Sequence, residues 1–382
     1  MLVGYRSAAG EELLTPPGRL CDNKANMKTL SQSTAVPTIA DVAREAGTTI
    51  TTVSRVINNS GYVHIAKRKA VLEAVEKLHY IPNANARVLK TKRSRALGLV
   101  IGDLLNPFSV QLAHSIQTVA VDRGYTTFVA SASEDVRSEL AVIESFQCQR
   151  LAGMVVATLA TPESDAMLAR LAEHKVPVVV VGRTIDHPAI DNISANHRRG
   201  GALATQHLIG LGHRRIAFVG AERDEAAHVG RLRGYLDAME AVGLPVLDDH
   251  VVGHTGTGHS PRYSTKLTGY QATQHLLRMP TRPTAIFARN DHTATGVIQA
   301  VQEAGLTVPD DISVAGFDNI PLTALMSPSL TTVSQPTEEQ GRLAAEFLLS
   351  RIEQSAPVAR REVLLDCHLI VRSSTSRPRT YR

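Results

Sequence analysis

Tryptophan is absent from this 382-residue chain, and aromatic residues make up only 4% of it. So few π faces argue against a protein that binds single-stranded nucleic acid by stacking its bases. Cysteine is also scarce. Cys21, Cys148 and Cys367 lie far apart and offer neither metal-ligand spacing nor a disulfide framework, a pattern that fits a reducing cytoplasm. No apolar run approaches the ~20 residues that span a bilayer; Val176–Val181, among the strongest, is strand-sized. Met1–Gly10 lacks the apolar segment of a secretory signal. Missing as well are a Gly-x-Ser-x-Gly elbow, a Walker loop (there is no Gly-Lys pair) and Gly-x-Gly-x-x-Gly. Gly253–Gly258 is glycine-rich but lacks that spacing and a following helix pattern. The expectation is therefore no enzyme, no cofactor and no membrane partner.

What is present looks globular. Apolar residues reach 43% and charged residues 20%, close to an ordinary folded protein, and the length suits two or three domains at about 100–200 residues each. The net charge of +5 is unevenly placed. Residues 37–95 carry 11 Lys/Arg against 4 Asp/Glu, a net of +7, and the remainder carries 30 against 32. A basic segment on a near-neutral body points to a polyanion-binding head. By itself such charge is better read as a solvated face.

Organisation follows from periodicity. Residues 1–36 show no sustained period and read as a disordered tail or an over-long start, with Met27 a candidate first residue. Residues 37–82 form a helical head. Ile39, Val42, Ala43 and Ala46 recur at three and four, Gly47 stops that helix, and Thr49 caps a second over Ile50–Asn58. A third runs from about Ala66 to His79. Residues 83–95 form a linker in which Asn83 can cap a short helix, Ala84–Lys90, too short to be stable alone. From residue 96 to 382 the fold class is α/β. Apolar strands (Leu97–Ile101, Tyr125–Ala130, Gly153–Ala157, Val176–Val181, Arg215–Val219, Thr284–Ala288, Ile312–Gly316 and Leu330–Val333) alternate with helix patterns at Val110–Arg123, His197–Leu211 and Ala294–Ala304. Eight such runs predict two lobes with doubly wound parallel sheets.

Two short helices joined by Gly47-Thr48-Thr49 have the geometry of a helix-turn-helix, whose second helix enters the major groove. With Val53, Val56 and Ile57 turned inward, Ile50, Thr51, Ser54, Arg55 and Asn58 face outward. Arg55 can bond both O6 and N7 of a guanine, and Ile50 suits a thymine methyl. Ser54 and Asn58 suit phosphates, and Thr38 at the head's start is counted with them. Spacing alone leaves this level with a plain three-helix bundle carrying an incidental arginine.

The residues go further than the spacing. Thr38-Ile39-Ala40-Asp41-Val42-Ala43-Arg44-Glu45-Ala46-Gly47 and Thr52-Val53-Ser54-Arg55-Val56-Ile57-Asn58 closely resemble the head of the lactose/galactose-repressor family. So do Tyr80-Ile81-Pro82-Asn83, Gly212-His213-Arg214-Arg215-Ile216, Pro309-Asp310-Asp311-Ile312, Gly316-Phe317-Asp318, Gln335-Pro336 and Val371-Arg372-Ser373-Ser374-Thr375, in order over Thr38–Thr375. The resemblance implies a DNA-binding regulator, usually a repressor, acting as a homodimer or tetramer on a near-palindromic operator. It implies a hinge helix and a periplasmic-binding-protein-like body that holds a small, sugar-like effector between its lobes. In the hinge, Leu89 would wedge into the minor groove while Arg87 and Lys90 neutralise phosphates.

Departures from that pattern matter. His64 and Lys67 stand where the family has hydroxyls at the start of the third helix, so a capping hydroxyl is lost. Ser109, Glu225 and Ala227 disfavour a purine effector. For the cleft, ligands bind outside the carboxyl ends of parallel strands, where Asp103, Phe108, Arg183, Asp291 and Asp318 fall. The alternative for each is a place at the helix N-cap of a βα turn, a strong alternative for Asp103 and Asp291 taken singly. The resemblance adds Arg231, in Gly230-Arg231-Leu232-Arg233-Gly234-Tyr235, and favours Phe108, Asp291 and Asp318. His250, His254 and His259 with Asp248 and Asp249 fit no metal motif. A transport binding protein remains the second class, disfavoured by the basic head.

Overall fold

The structure, a computed structural model, describes residues 37–81, 94–132, 135–158, 161–221, 226–253, 265–354 and 358–379. The readings placed on residues 1–36, and on Arg87, Leu89 and Lys90 of the hinge, lie outside them. The chain divides into two units, Met1–Lys90 and Thr91–Arg382.

In the first unit, α1 (Ile39–Glu45), α2 (Ile50–Ile57) and α3 (Ile65–Lys77) enclose Val42, Val53 and Val71 completely, with Ala43, Val56 and Ala74 beside them. Each fully buried valine is worth roughly 1.5–3 kcal/mol, a substantial share for so small a core. Local chemistry sets the helix ends. Thr38 and Asp41 form a reciprocal capping box at α1. Gly47, at φ +58°, supplies the left-handed residue that turns the chain toward α2. Thr49 Oγ1 accepts the Thr52 amide at 3.2 Å. α3 starts one residue before and ends two before the range expected, and His64 caps it: the ring Nδ1 accepts the Ala66 amide at 3.4 Å. The cap expected to be lost is supplied by an imidazole instead of a hydroxyl.

The second unit holds two six-stranded sheets. One has β1 (Ala96–Ile101), β2 (Thr126–Ser131), β3 (Gly153–Ala157), β4 (Val178–Val181), β5 (Ile190–Ala195) and β11 (Glu362–Leu365), in the order β11-β5-β4-β3-β1-β2, all parallel. The other has β6 (Ile216–Ala221), β7 (Val251–Gly253), β8 (Ala285–Ala288), β9 (Ser313–Asp318), β10 (Thr331–Ser334) and β12 (His368–Ile370), in the order β12-β10-β9-β8-β6-β7. Here β12 runs antiparallel to β10, a departure from purely parallel sheets. The two lobes were legible; four strands were not. β5 carries buried Asp191 and Asn192 in place of an apolar run. β7 and β12 have three residues each, and β11 (Glu-Val-Leu-Leu) is a half-exposed edge.

Helices cover both faces of each sheet. The first lobe packs α4 (Pro107–Asp122) and α11 (Thr337–Glu353) on one side, α5 (Val136–Cys148) and α6 (Pro162–Glu173) on the other. The second packs α9 (Thr265–Leu277) and α10 (Asp291–Glu303) on one side, α7 (His197–Gly210) and α8 (Ala226–Glu240) on the other. α4 and α10 start three residues earlier than periodicity indicates, because Asn106 and Asn290 cap them and Pro107 occupies the first turn of α4.

The chain passes between lobes three times: β5 to α7, β10 to α11, and β11 to β12. A buried charge cluster braces the first lobe. Asp191, fully enclosed on β5, takes Arg351 Nε at 2.7 Å and Nη2 at 2.6 Å, and Arg361 Nη2 at 2.6 Å. α11 and β11 are thereby locked to one strand.

Candidate functional site

On the head, α2 presents the face read from sequence. Val53 and Val56 are buried, while Ile50, at 51% exposure, stands out with Thr51, Arg55 and Asn58. An isoleucine half in water at a helix start costs solvation unless a partner covers it. Ser54 is partly buried, and Asn58 Nδ2 donates to its backbone oxygen at 2.8 Å and to its hydroxyl at 3.3 Å, so these two side chains finish the helix. The Thr38 hydroxyl donates to Asp41 Oδ2 at 2.6 Å. That contact, ahead of the others, holds the Asp41 carboxyl below its ordinary range. Three consecutive cations, Lys67, Arg68 and Lys69, open α3.

In the body, the second lobe's carboxyl edge gathers a compact polar group. Arg231 on α8 and Asp318 at the end of β9 are both buried and pair at 3.2 Å. The guanidinium lies over the Phe317 ring, 3.8 Å from its centroid. Arg231 also donates to the Arg289 carbonyl at 2.6 Å and to His197 Nδ1 at 3.4 Å, and Gln335 Nε2 donates to Asp318 Oδ1 at 2.7 Å. His197 stands at the first crossover, Gln335 at the second, and Cys367 at the third. The backbone bends to deliver the carboxylate: Asp318 and Asn319 have φ of +111° and +58°, strained for side-chain-bearing residues. Packing delivers the guanidinium, since a Cβ on Gly201 of α7 would meet the Arg231 carbonyl at 2.2 Å.

Burial dominates the electrostatics. It pushes the Asp318 carboxyl up against the pull of Arg231 and Gln335, and lowers Arg231 against the pull of Asp318. Burial and then the Arg231 charge hold His197 well below its usual value, hence neutral at pH 7. Burial also pushes the Cys367 thiol up to about 11, an inert cysteine. A cavity of about 490 Å³ runs along the second crossover between Gln111 of α4 and Asp318, Ser334, Gln335 and Thr337, a size suited to a small ligand. Among the described residues no cluster of three His, Cys, Asp or Glu could hold a metal ion. His250 is buried with Nε2 3.0 Å from the Thr281 carbonyl, and His254 and His259 lie outside the described residues.

Residues 38–83 match the family described as bacterial regulatory proteins, lacI family, and residues 205–375 match the periplasmic binding protein-like domain. A transcriptional repressor, PurR, of Aliivibrio salmonicida is 35% identical over 317 residues, 83% of this chain and 92% of the relative. The chain belongs to the LacI family of transcriptional regulators. The lac repressor dimer bound to operator and an anti-inducer superposes with a TM-score of 0.76 at 27% identity, over 89% of this chain and 99% of that one. A LacI-family regulator from Enterococcus faecium with bound ribose gives 0.64 at 29%, over 74% and 99%.

Within this LacI-family regulator the six cleft candidates separate. Arg231 and Asp318 come together as described. Asp291 lies beneath them, fully buried, with Oδ1 accepting the Thr332 hydroxyl at 2.5 Å and Oδ2 the Ile320 amide at 2.9 Å. Burial first, then the Asp318 charge, push its carboxyl well up. Its oxygens tie β10 to the segment after β9. Arg183 spends its guanidinium inside the first lobe, on Ser164 Oγ at 2.8 Å, Glu139 at 3.4 Å and Asp165 at 3.5 Å. Asp103 Oδ1 accepts the Leu105 amide at 2.8 Å in a turn, while its charge is felt across the cleft by His292. Phe108 is half-buried in the first turn of α4, its amide held by Asn106 Oδ1 at 3.1 Å. Sequence reasoning gave no role to His197, Phe317, Arg289 or Gln335. Gln335-Pro336 and Gly316-Phe317-Asp318 stood among the matching motifs, but partners at separations of 17 to 120 residues left no local signal.

Proposed function

We propose that this regulator is a repressor that works as a homodimer in the cytoplasm, on nucleoid DNA, and that a small hydroxyl-rich effector between its lobes sets its affinity for a near-palindromic operator. Ile50, Thr51 and Arg55 read base edges in the major groove; Thr38, Ser54 and Asn58 approach phosphates. Hinge residues Arg87, Leu89 and Lys90 complete the contact at the operator centre. A second copy covers the apolar residues displayed around the open edge strand β2, namely Phe128 and Val129, with Val110 and Val121 of α4. No catalysis is part of this reading.

The observation that carries the effector reading is the buried Arg231–Asp318 pair, its guanidinium stacked on Phe317, tied to two crossovers. A guanidinium over a ring with a carboxylate beside it can donate to and accept from neighbouring hydroxyls while the ring covers an apolar face. Ligand there touches the segments about which the lobes move, so a coupling of about 1–3 kcal/mol is within ordinary range. Ribose in a family relative fits this chemistry. The test is Arg231→Ala. It retains operator binding in gel shift but no longer changes occupancy when sugar is added; a normal sugar response in the variant overturns the assignment.

A further inference from the structure

The chain turns sharply where β9 ends. Asp318 and Asn319 are consecutive residues with positive φ, +111° and +58°. The other side-chain-bearing residues with positive φ among those described, Asn59, His79, Arg150 and Lys175, each stand two residues past a helix end, where that conformation closes the last turn. The pair after β9 closes no helix. Two adjacent strained residues persist only where neighbours hold them. Gln335 Nε2 donates to Asp318 Oδ1 at 2.7 Å, and Asp291 Oδ2 accepts the Ile320 amide at 2.9 Å. Asn319 Nδ2 donates to Ser334 Oγ at 3.3 Å. A further grip comes from Arg372, whose Nη2 donates to Asn319 Oδ1 at 2.8 Å.

Arg372 lies two residues past β12, in the C-terminal segment. Asp318, Asn319 and Ser334 line the 490 Å³ cavity and Arg372 does not. Its Nη1 donates to the Leu330 carbonyl at 2.7 Å and to Thr323 Oγ1 at 3.1 Å, and its backbone amide donates to Thr331 Oγ1 at 2.9 Å. The segment around it is itself fastened to the second sheet. The Ser373 amide donates to the Ser329 carbonyl at 3.1 Å, and Ser374 Oγ to the Val314 carbonyl at 2.6 Å. All three acceptors of the guanidinium are neutral. A planar fork of fixed donors spans three set acceptors in a way that a flexible ammonium does not. One end of the fork rests on the residue before β10 and the other on Asn319, so the fork sets the backbone from which the Asp318 carboxylate projects.

We propose that Arg372 is a positioning residue for the effector: by holding Asn319 it directs the Asp318 carboxylate, and it touches no ligand itself. This rests on the effector reading of the Arg231–Asp318 pair. The full-length protein is titrated by calorimetry with D-ribose, D-glucose and cellobiose, and its melting is followed without sugar. Arg372→Gln and Asn319→Gly each bind the preferred sugar about ten-fold more weakly, the scale of one lost hydrogen bond to a charged group. Glycine adopts a φ of +58° without strain, so the second variant leaves the turn accessible but unheld. In the double variant the loss is no greater than in either alone, because both changes cut the same link. Arg372→Gln also melts lower, since Leu330 and Thr323 lose their donor; a brace with no positioning role shows that change alone. Arg372→Lys, which keeps the cation but cannot span three acceptors, takes its place if the glutamine variant fails to fold. Lower melting with sugar affinity unchanged, or two losses that multiply in the double variant, overturns this proposal while leaving the effector reading intact. A wild-type protein that binds none of the sugars overturns both.

Discussion

Arg55 is the side chain on which base reading turns. It is exposed on α2 between buried Val53 and Val56, and among the described residues no ion pair engages its guanidinium. A bidentate arginine–guanine contact is worth about 1–3 kcal/mol of discrimination. Arg55→Ala is therefore expected to lose about ten- to a hundred-fold in preference for operator over scrambled duplex, with sugar binding unchanged. Competition gel shifts measure this, and unaltered preference would remove Arg55 from the reading surface. The head was legible at this scale because its chemistry is local: caps, stripe and outward face all lie within a few residues. The cleft was legible only in part. Asp318 and Arg231 were named, but Asp291, also named, uses both oxygens on Thr332 and Ile320, and Arg183 turns to Ser164 and Glu139. A carboxylate after a strand looks the same in sequence whether it faces ligand or braces a loop.

Elements are fixed by long-range pairs more than by propensity. β5 and β11 escaped the sequence reading because Asp191 and Asn192 interrupt the apolar pattern of one and the other is a half-exposed edge; Asp191 finds its partners in Arg351 and Arg361, some 160 and 170 residues away. Burial works to raise the Asp191 carboxyl, but hydrogen bonds from the two arginines outweigh it and hold it below its ordinary value of 3.8. A depressed carboxylate contributes stability that is complete above that ordinary value and is lost as pH falls below it. Asp191→Ala leaves two arginines without their counter-charge and should cost about 3–5 kcal/mol at neutral pH. Urea denaturation at pH 7 checks the size. At pH below the folded carboxyl's own titration the gap between variant and wild type should narrow, and a gap that stays constant down to strong acid would contradict the account.

For the molecule as a whole, four histidines, His197, His207, His213 and His292, are all lowered, with burial the leading cause in each. A neutral buried histidine contributes stability that is complete above about pH 6.5 and declines as pH falls and the unfolded chain takes up protons first. His213 is the clearest: its ring binds Thr284 at 2.9 Å, Ser313 at 3.1 Å and the Ser376 carbonyl at 2.9 Å, fastening the C-terminal segment to the second sheet. Asp291 and Asp318 titrate with the opposite sign, so the informative quantity is a difference. The melting temperature of wild type should fall more steeply from pH 7 to pH 5 than that of His213→Gln; parallel curves would show that His213 carries no such linkage.

The central claim is that a basic head reads duplex sequence while a two-lobed body senses a metabolite. Selection from a randomised duplex library by the purified full-length chain, followed by titration of the selected site with and without D-ribose, D-glucose or cellobiose, tests it most directly. The account predicts a near-palindromic site bound at least about a thousand-fold more tightly than scrambled duplex, strongly weakened by salt, with occupancy altered by one of the sugars. Equal, weak affinity for every duplex, indifferent to all three sugars, would contradict it.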